Sequence, residues 1–91
     1  MIILLQIGTQ ECGEAFRIAR RVVAQGKKML LLFTGDGCRL AENPYITESL
    51  DFARLFALRE DLRKPVKGVE VINYDGWVKL LEYCNKTACW T

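Results

Sequence analysis

Apolar positions along the chain fall into two periodicities. Ile2 to Ile7, interrupted only by Gln6, and Met29 to Phe33 are near-continuous apolar runs. Runs without alternation suit strands buried on both faces, as in a parallel sheet covered by helices. Between them, Ala15, Ile18, Ala19, Val22 and Val23 recur at helical spacing, with Arg17, Arg20, Arg21 and Gln25 on the wet side. Gly8-Thr9-Gln10-Glu11 turns the chain into this helix, with Thr9 as the expected cap and Glu11 favoured by the helix dipole. Gly26 is placed to end it just after the C-cap. Strand, helix and strand in this order make a βαβ unit with a right-handed crossover.

The pattern continues in shorter segments. Gly35-Asp36-Gly37 stops strand two with residues that tolerate a sharp reversal. Asn43-Pro44 reads as an N-cap followed by proline at N1, opening a short helix through Leu50. Ala53 to Leu58 is the third expected strand, and Arg59 to Lys64 forms at most a helical turn before Pro65 ends it. Val69 to Asn73 is the fourth. Asp75 is expected to cap a last helix with Trp77, Val78, Leu81 and Cys84 on its inner face, leaving Asn85 to Thr91 as a tail. The predicted architecture is α/β: a small parallel sheet of about four strands flanked by helices, in the flavodoxin-like order 2-1-3-4.

Composition narrows the function classes. A chain of 91 residues supports one core, so residues 1–91 are read as a single domain. At this size only about 60–65% of the unfolded surface is buried, so self-association would add stability. The 51% hydrophobic content argues against disorder, and a net charge of +2 is too small to imply direct nucleic-acid binding. The apolar runs are far below the roughly 20 residues that cross a bilayer, and no basic segment or cleavage site accompanies Met1 to Leu5. The expectation is a cytoplasmic chain with reduced thiols and no membrane partner.

The four cysteines then become the candidate chemistry. They lack paired C-x-x-C spacing and no histidine accompanies them, so neither a zinc site nor any other cofactor is expected. Cys12 falls near the start of the first helix, where the dipole favours a thiolate. Cys38 follows Gly35-Asp36-Gly37 at the carboxyl end of strand two, where open parallel sheets collect reactive groups. If strands one and two are neighbours, both thiols share one sheet edge, and Cys38 and Cys12 are the candidate persulfide carriers. The plain alternative is that each is a small buried hydrophobe, and Asp36 beside Cys38 would oppose its ionisation. Cys84 belongs to the apolar stripe of the last helix. Cys89 would sit about 140° away from it on a continuous helix, so the two cannot bridge.

Other features carry less. Arg17, Arg20, Arg21, Lys27 and Lys28 form one basic cluster, and Arg63, Lys64 and Lys67 another. A tRNA or acidic-partner surface is one reading of them, and a solvated helix face with Glu14 paired to Arg17 is the favoured one. The Gly-Asp-Gly turn lacks a following lysine at phosphate-loop spacing, and Asp36 would repel a phosphate. Trp77 and Trp90 read as core or interface anchors.

The order of several strings resembles the TusB/DsrH subunits of sulfur-relay complexes. Tyr45 with Glu48-Ser49-Leu50 is similar to that family's short helix, and Phe56 to Leu62 to its strand-to-turn segment with an Ala-Leu-x-x-Asp-Leu string. Ile72 to Leu80 resembles the following strand and helix start, Asp36-Gly37 the turn after strand two, and Trp90 a tryptophan near the C-terminus. The resemblance implies an accessory subunit of a sulfurtransferase complex serving 2-thiolation of the tRNA wobble uridine. It implies DsrE/TusD-like and DsrF/TusC-like partners, the former holding the sulfur-carrying cysteine. The sulfur-oxidation branch carries a cysteine in helix one, where this chain has about Ala19. The alternatives are an autonomous persulfide carrier using Cys38 or Cys12, and a subunit of a dissimilatory sulfur-oxidation complex.

Overall fold

The computed structural model describes residues 1–64 and 66–90. In chain order the elements are β1 (Ile2–Ile7), α1 (Gly13–Ala24), β2 (Lys28–Phe33), a 3-10 turn (Gly35–Gly37), α2 (Cys38–Ala41), α3 (Pro44–Ser49), β3 (Arg54–Leu58), β4 (Val69–Ile72), α4 (Tyr74–Tyr83) and β5 (Lys86–Trp90). The α/β class with an all-parallel sheet flanked by helices agrees with the sequence pattern. The finer expectation does not. The sheet has five strands in the order β4-β3-β2-β1-β5, where four in the order 2-1-3-4 were expected.

The order follows from which face each crossover takes. Register places Leu5, Ile7, Met29, Leu31, Phe33, Leu55 and Ala57 on one face, where they form one apolar cluster with residues of α1, α2 and α3. Right-handed crossovers that stay on one face step the chain in one direction, from β1 through β2 to β3 and β4. Leu4, Leu30, Leu32 and Phe56 point to the opposite face and pack with Trp77, Leu80 and Cys84. Because α4 crosses on that second face, the same handedness carries the chain back past β1 and docks β5 on the far edge. The expected tail is thus a strand. It pairs Ala88 with Leu5 and Trp90 with Ile7 in register, and Asn85 ties its start to β1 through Oδ1, which accepts from Ile2 N at 2.9 Å.

Four local expectations need correction. The first helix starts at Gly13 with Cys12 at the cap position, while Thr9 Oγ1 accepts only from Glu11 N at 3.4 Å. Its buried side is Ala15 and Ala19 with Phe16, Val22 and Val23 packed alongside; Ile18 is exposed. The last helix is capped by Asn73, whose Oδ1 accepts from Gly76 N at 2.9 Å, and not by Asp75. Its inner stripe is Trp77, Leu80 and Cys84, since Val78 and Leu81 face solvent. Asn43 caps α3 as expected, accepting from Tyr45 N at 3.0 Å, with Pro44 in the first turn. Gly26 takes the left-handed φ of +89° that ends α1. Residues 59–61 form a turn after β3. Pro65, the expected end of that segment, lies outside the described residues, as does Thr91 at the end of the expected tail.

Candidate functional site at the carboxyl edge of the sheet

Parallel strands deliver their carboxyl ends to one edge, and four of the five here hand over a polar or thiol group. Cys12 follows β1, Cys38 follows β2, Asp61 follows β3, and Trp90 ends β5. Cys12 and Cys38 both belong to the apolar cluster under α1 and α2, so the topology does bring the two candidate thiols to one side of the sheet. Neither reaches solvent. Cys38 is 0% and Cys12 2% exposed.

The environment of Cys38 is built by the turn before it. Gly37 packs against β1 so closely that a Cβ would fall on the Ile7 carbonyl oxygen and 2.8 Å from its carbon. Thr34 N donates to the same Ile7 carbonyl at 2.9 Å, which clamps the end of β2 onto β1. Cys38 Sγ then lies 3.3 Å from the Phe33 carbonyl oxygen and 4.0 Å from that of Leu58, so its proton is donated inward to backbone. Burial, with a smaller contribution from the Asp61 carboxylate, pushes the thiol up to about 11. Asp36, the neighbour expected to act on it, is exposed and plays no part in that shift. The charge that matters arrives from the β3 turn instead.

That charge belongs to a polar cluster under the turns. Asp61 Oδ2 accepts from Gly35 N at 2.8 Å. Arg39 donates to the Asp61 carbonyl oxygen and lies 3.3 Å from Glu42 Oε2 in a mostly buried ion pair. Glu42 Oε2 also accepts from Arg63 N at 2.6 Å. Together these contacts lash the β2 turn, α2 and the β3 turn into one unit. Of the three side chains, only Asp61 stands out in the sequence, within the Ala-Leu-x-x-Asp-Leu string. Arg39 and Glu42 are signalled solely by their i,i+3 spacing on a helix too short to show periodicity.

Cys12 is closed in at the same edge by the end of β5. Its Sγ lies 3.9 Å from the Gln10 carbonyl oxygen, and burial raises its pKa. Trp90 Nε1 donates to the Glu11 carbonyl oxygen at 3.2 Å, fastening the end of β5 over the start of α1. Cys84 is buried on the other face, and burial raises its pKa as well. Cys89 is the one exposed thiol, on the outer strand β5.

No family model matches the sequence, and no curated protein matches it significantly.

Arg17 pairs with Glu14, and Arg20 donates to the Ser49 carbonyl oxygen at 2.8 Å while covering the Phe52 ring, so two members of the first basic cluster are taken up by local contacts. An open groove of about 790 Å³ lies at the amino ends of β3 and β4, floored by Leu50, Leu55 and Val69 and crossed by the Arg54–Glu70 ion pair. Among the described residues no group of three His, Cys, Asp or Glu side chains could hold a metal ion. Among the described residues no helix is long and apolar enough to cross a membrane either.

Proposed function

We propose that the chain is an accessory, non-catalytic subunit of a cytoplasmic sulfur-relay complex of the TusB/DsrH type. It supports 2-thiolation of the tRNA wobble uridine beside DsrE/TusD-like and DsrF/TusC-like subunits. The resemblance in sequence motifs supplies this reading. The observation that supports it in the fold is the state of Cys38 and Cys12. A persulfide carrier needs an exposed, nucleophilic thiolate. Here both thiols are buried and shifted toward the protonated form. Such groups fill space, and sulfur transfer falls to a partner.

The autonomous-carrier reading on Cys38 or Cys12 finds neither thiol exposed, and Cys89 is the exposed thiol to which such a reading would have to move. Incubation with a cysteine desulfurase and labelled cysteine, with and without a DsrE-like partner, separates the two. The accessory reading expects label on the partner and none on this chain. Label on Cys89 that disappears in Cys89→Ser favours the carrier. Label on Cys38 or Cys12 would show that the edge of the sheet opens, and the accessory reading would fall.

A further inference from the structure

We infer that the free edge of β5 is the contact for a second copy of this chain, whose own β5 adds antiparallel about a two-fold axis at Ala88 and joins the two sheets into one. This goes beyond the relay reading and does not rest on it. β5 ends the sheet beside β1. The Trp90 carbonyl accepts from Gly8 N at 2.9 Å, which with the register fixes the alternation of the strand. Lys86, Ala88 and Trp90 turn their backbone groups toward β1, while Thr87 and Cys89 turn theirs outward. Among the described residues no partner meets the N–H or C=O of Thr87 or Cys89. The edge is open from both faces, since Lys86 and Ala88 on one and Thr87 and Cys89 on the other are exposed.

The opposite edge of the sheet is built differently. β4 has four residues, and Arg59 N, donating to the Ile72 carbonyl at 2.8 Å, leaves Val69 and Val71 as its outward positions. The Val69 N–H is already taken by the Val66 carbonyl at 3.2 Å. A short edge with a donor removed resists strand addition. β5 has no such protection.

Register selects the occupant. Pairing about Ala88 sets Thr87 of each copy opposite Cys89 of the other, and each such pair exchanges two N–H to C=O bonds. Every outward group of Thr87 and Cys89 is then satisfied. An axis at Thr87 or at Cys89 would leave the other residue with no partner in the facing β5. Side chains agree with the Ala88 register. The small Ala88 meets itself across the axis, and Lys86, the charged residue of the strand, comes opposite Trp90 of the other copy, twice by symmetry. The two lysines stand four residues apart along the strands, about 14 Å, so they do not oppose the pairing.

Sedimentation of the full chain at micromolar concentration in reducing buffer should show a species of twice 10.4 kDa. Thr87→Pro removes an outward donor from each copy and sets a ring where the facing strand would lie, yet takes no bond from the β1 ladder. It should raise the dimer dissociation constant by about tenfold or more. In a Cys89→Ser background, Ala88→Cys should give a disulfide-linked dimer on mild oxidation, because residues facing at such a pair have Cα atoms about 4.5 Å apart. Lys86→Cys in the same background should not. Circular dichroism verifies that each variant is folded; if Thr87→Pro is not, the crosslinking pair decides alone. A wild-type monomer, a dimer that a folded Thr87→Pro leaves intact, or equal crosslinking at both positions would each overturn the inference. Persulfide transfer to a DsrE-like partner is a separate measurement, so failure here leaves the relay reading as it was.

Discussion

The backbone N–H of Gly35 donates to the carboxylate of Asp61 at 2.8 Å, joining the turn after β2 to the turn after β3. Gly35 holds a left-handed φ of +53°, and the carboxylate satisfies the donor that this turn would otherwise leave open. Asp61→Ala should therefore destabilise the fold by about 1–3 kcal/mol in a urea titration. Asp61→Asn keeps an acceptor while removing the charge, so it should cost less and should lower the Cys38 pKa. Thiolate absorbance followed against pH measures that shift; an unmoved titration would remove Asp61 from the environment of Cys38.

Burial of the Cys38 thiol makes stability fall in alkali. Its pKa is about 11 folded against 9.0 unfolded, so above pH 9 the unfolded chain releases a proton that the native one retains. The associated stability is complete below pH 9 and is lost as pH rises toward 11. The two-unit difference corresponds to at most about 2–3 kcal/mol. Unfolding free energies measured across this window should fall more steeply for the wild type than for Cys38→Ala. Parallel slopes would mean that the native thiol ionises normally.

The two apolar stripes of α4 should respond oppositely to truncation. Leu80 packs against the cluster of Leu4, Leu30, Leu32 and Phe56, and Leu80→Ala should cost about 2–4 kcal/mol. Leu81→Ala, at a side chain 42% exposed, should cost less than about 1 kcal/mol in the chain's own stability. Equal losses would place both leucines in the core.

Two glycines of one turn should differ in kind. At Gly37, with φ of −61°, any L-residue fits the backbone conformation, but a methyl group collides with the Ile7 carbonyl, which the strand holds in place. Gly37→Ala should cost about 3 kcal/mol or more, or prevent folding. At Gly35 the space is open, with the nearest atom 3.9 Å from a Cβ, and the penalty is the positive φ alone. Gly35→Ala should cost about 1 kcal/mol. Thermal melts of the pair decide the order.

Four of the five strands could be read in the sequence, the edge strand β4 among them, and the plainest are those buried on both faces. Met29 to Phe33 announces itself because every side chain is apolar, whichever way it points. β5 does not, because Lys86-Thr87-Ala88-Cys89-Trp90 lies at an edge with four of its five residues exposed, and only Trp90 packs against the first core. Strand order was hidden for another reason: local pattern does not say which face a crossover takes, and α4 alone takes the second. That helix also carries two stripes at the same period, so Leu81 is indistinguishable from Leu80 until the sheet is in place. Cys38 was legible as a residue of the strand edge, but its burial depends on Gly37 docking against Ile7, a contact between segments far apart in the chain.

The placement of β5 beside β1 sets an order of assembly. Each step from β1 to β4 adds a strand next to the one just formed, so those contacts close short loops and form early. The β1–β5 ladder joins Asn85 N to the Ile2 carbonyl at 2.8 Å, and its loop is nearly the whole chain. That closure comes after the rest of the sheet exists as a template. Side chains of β5 therefore govern how fast the native protein opens more than how fast it forms. Kinetic persistence of the whole fold rests on its most exposed strand.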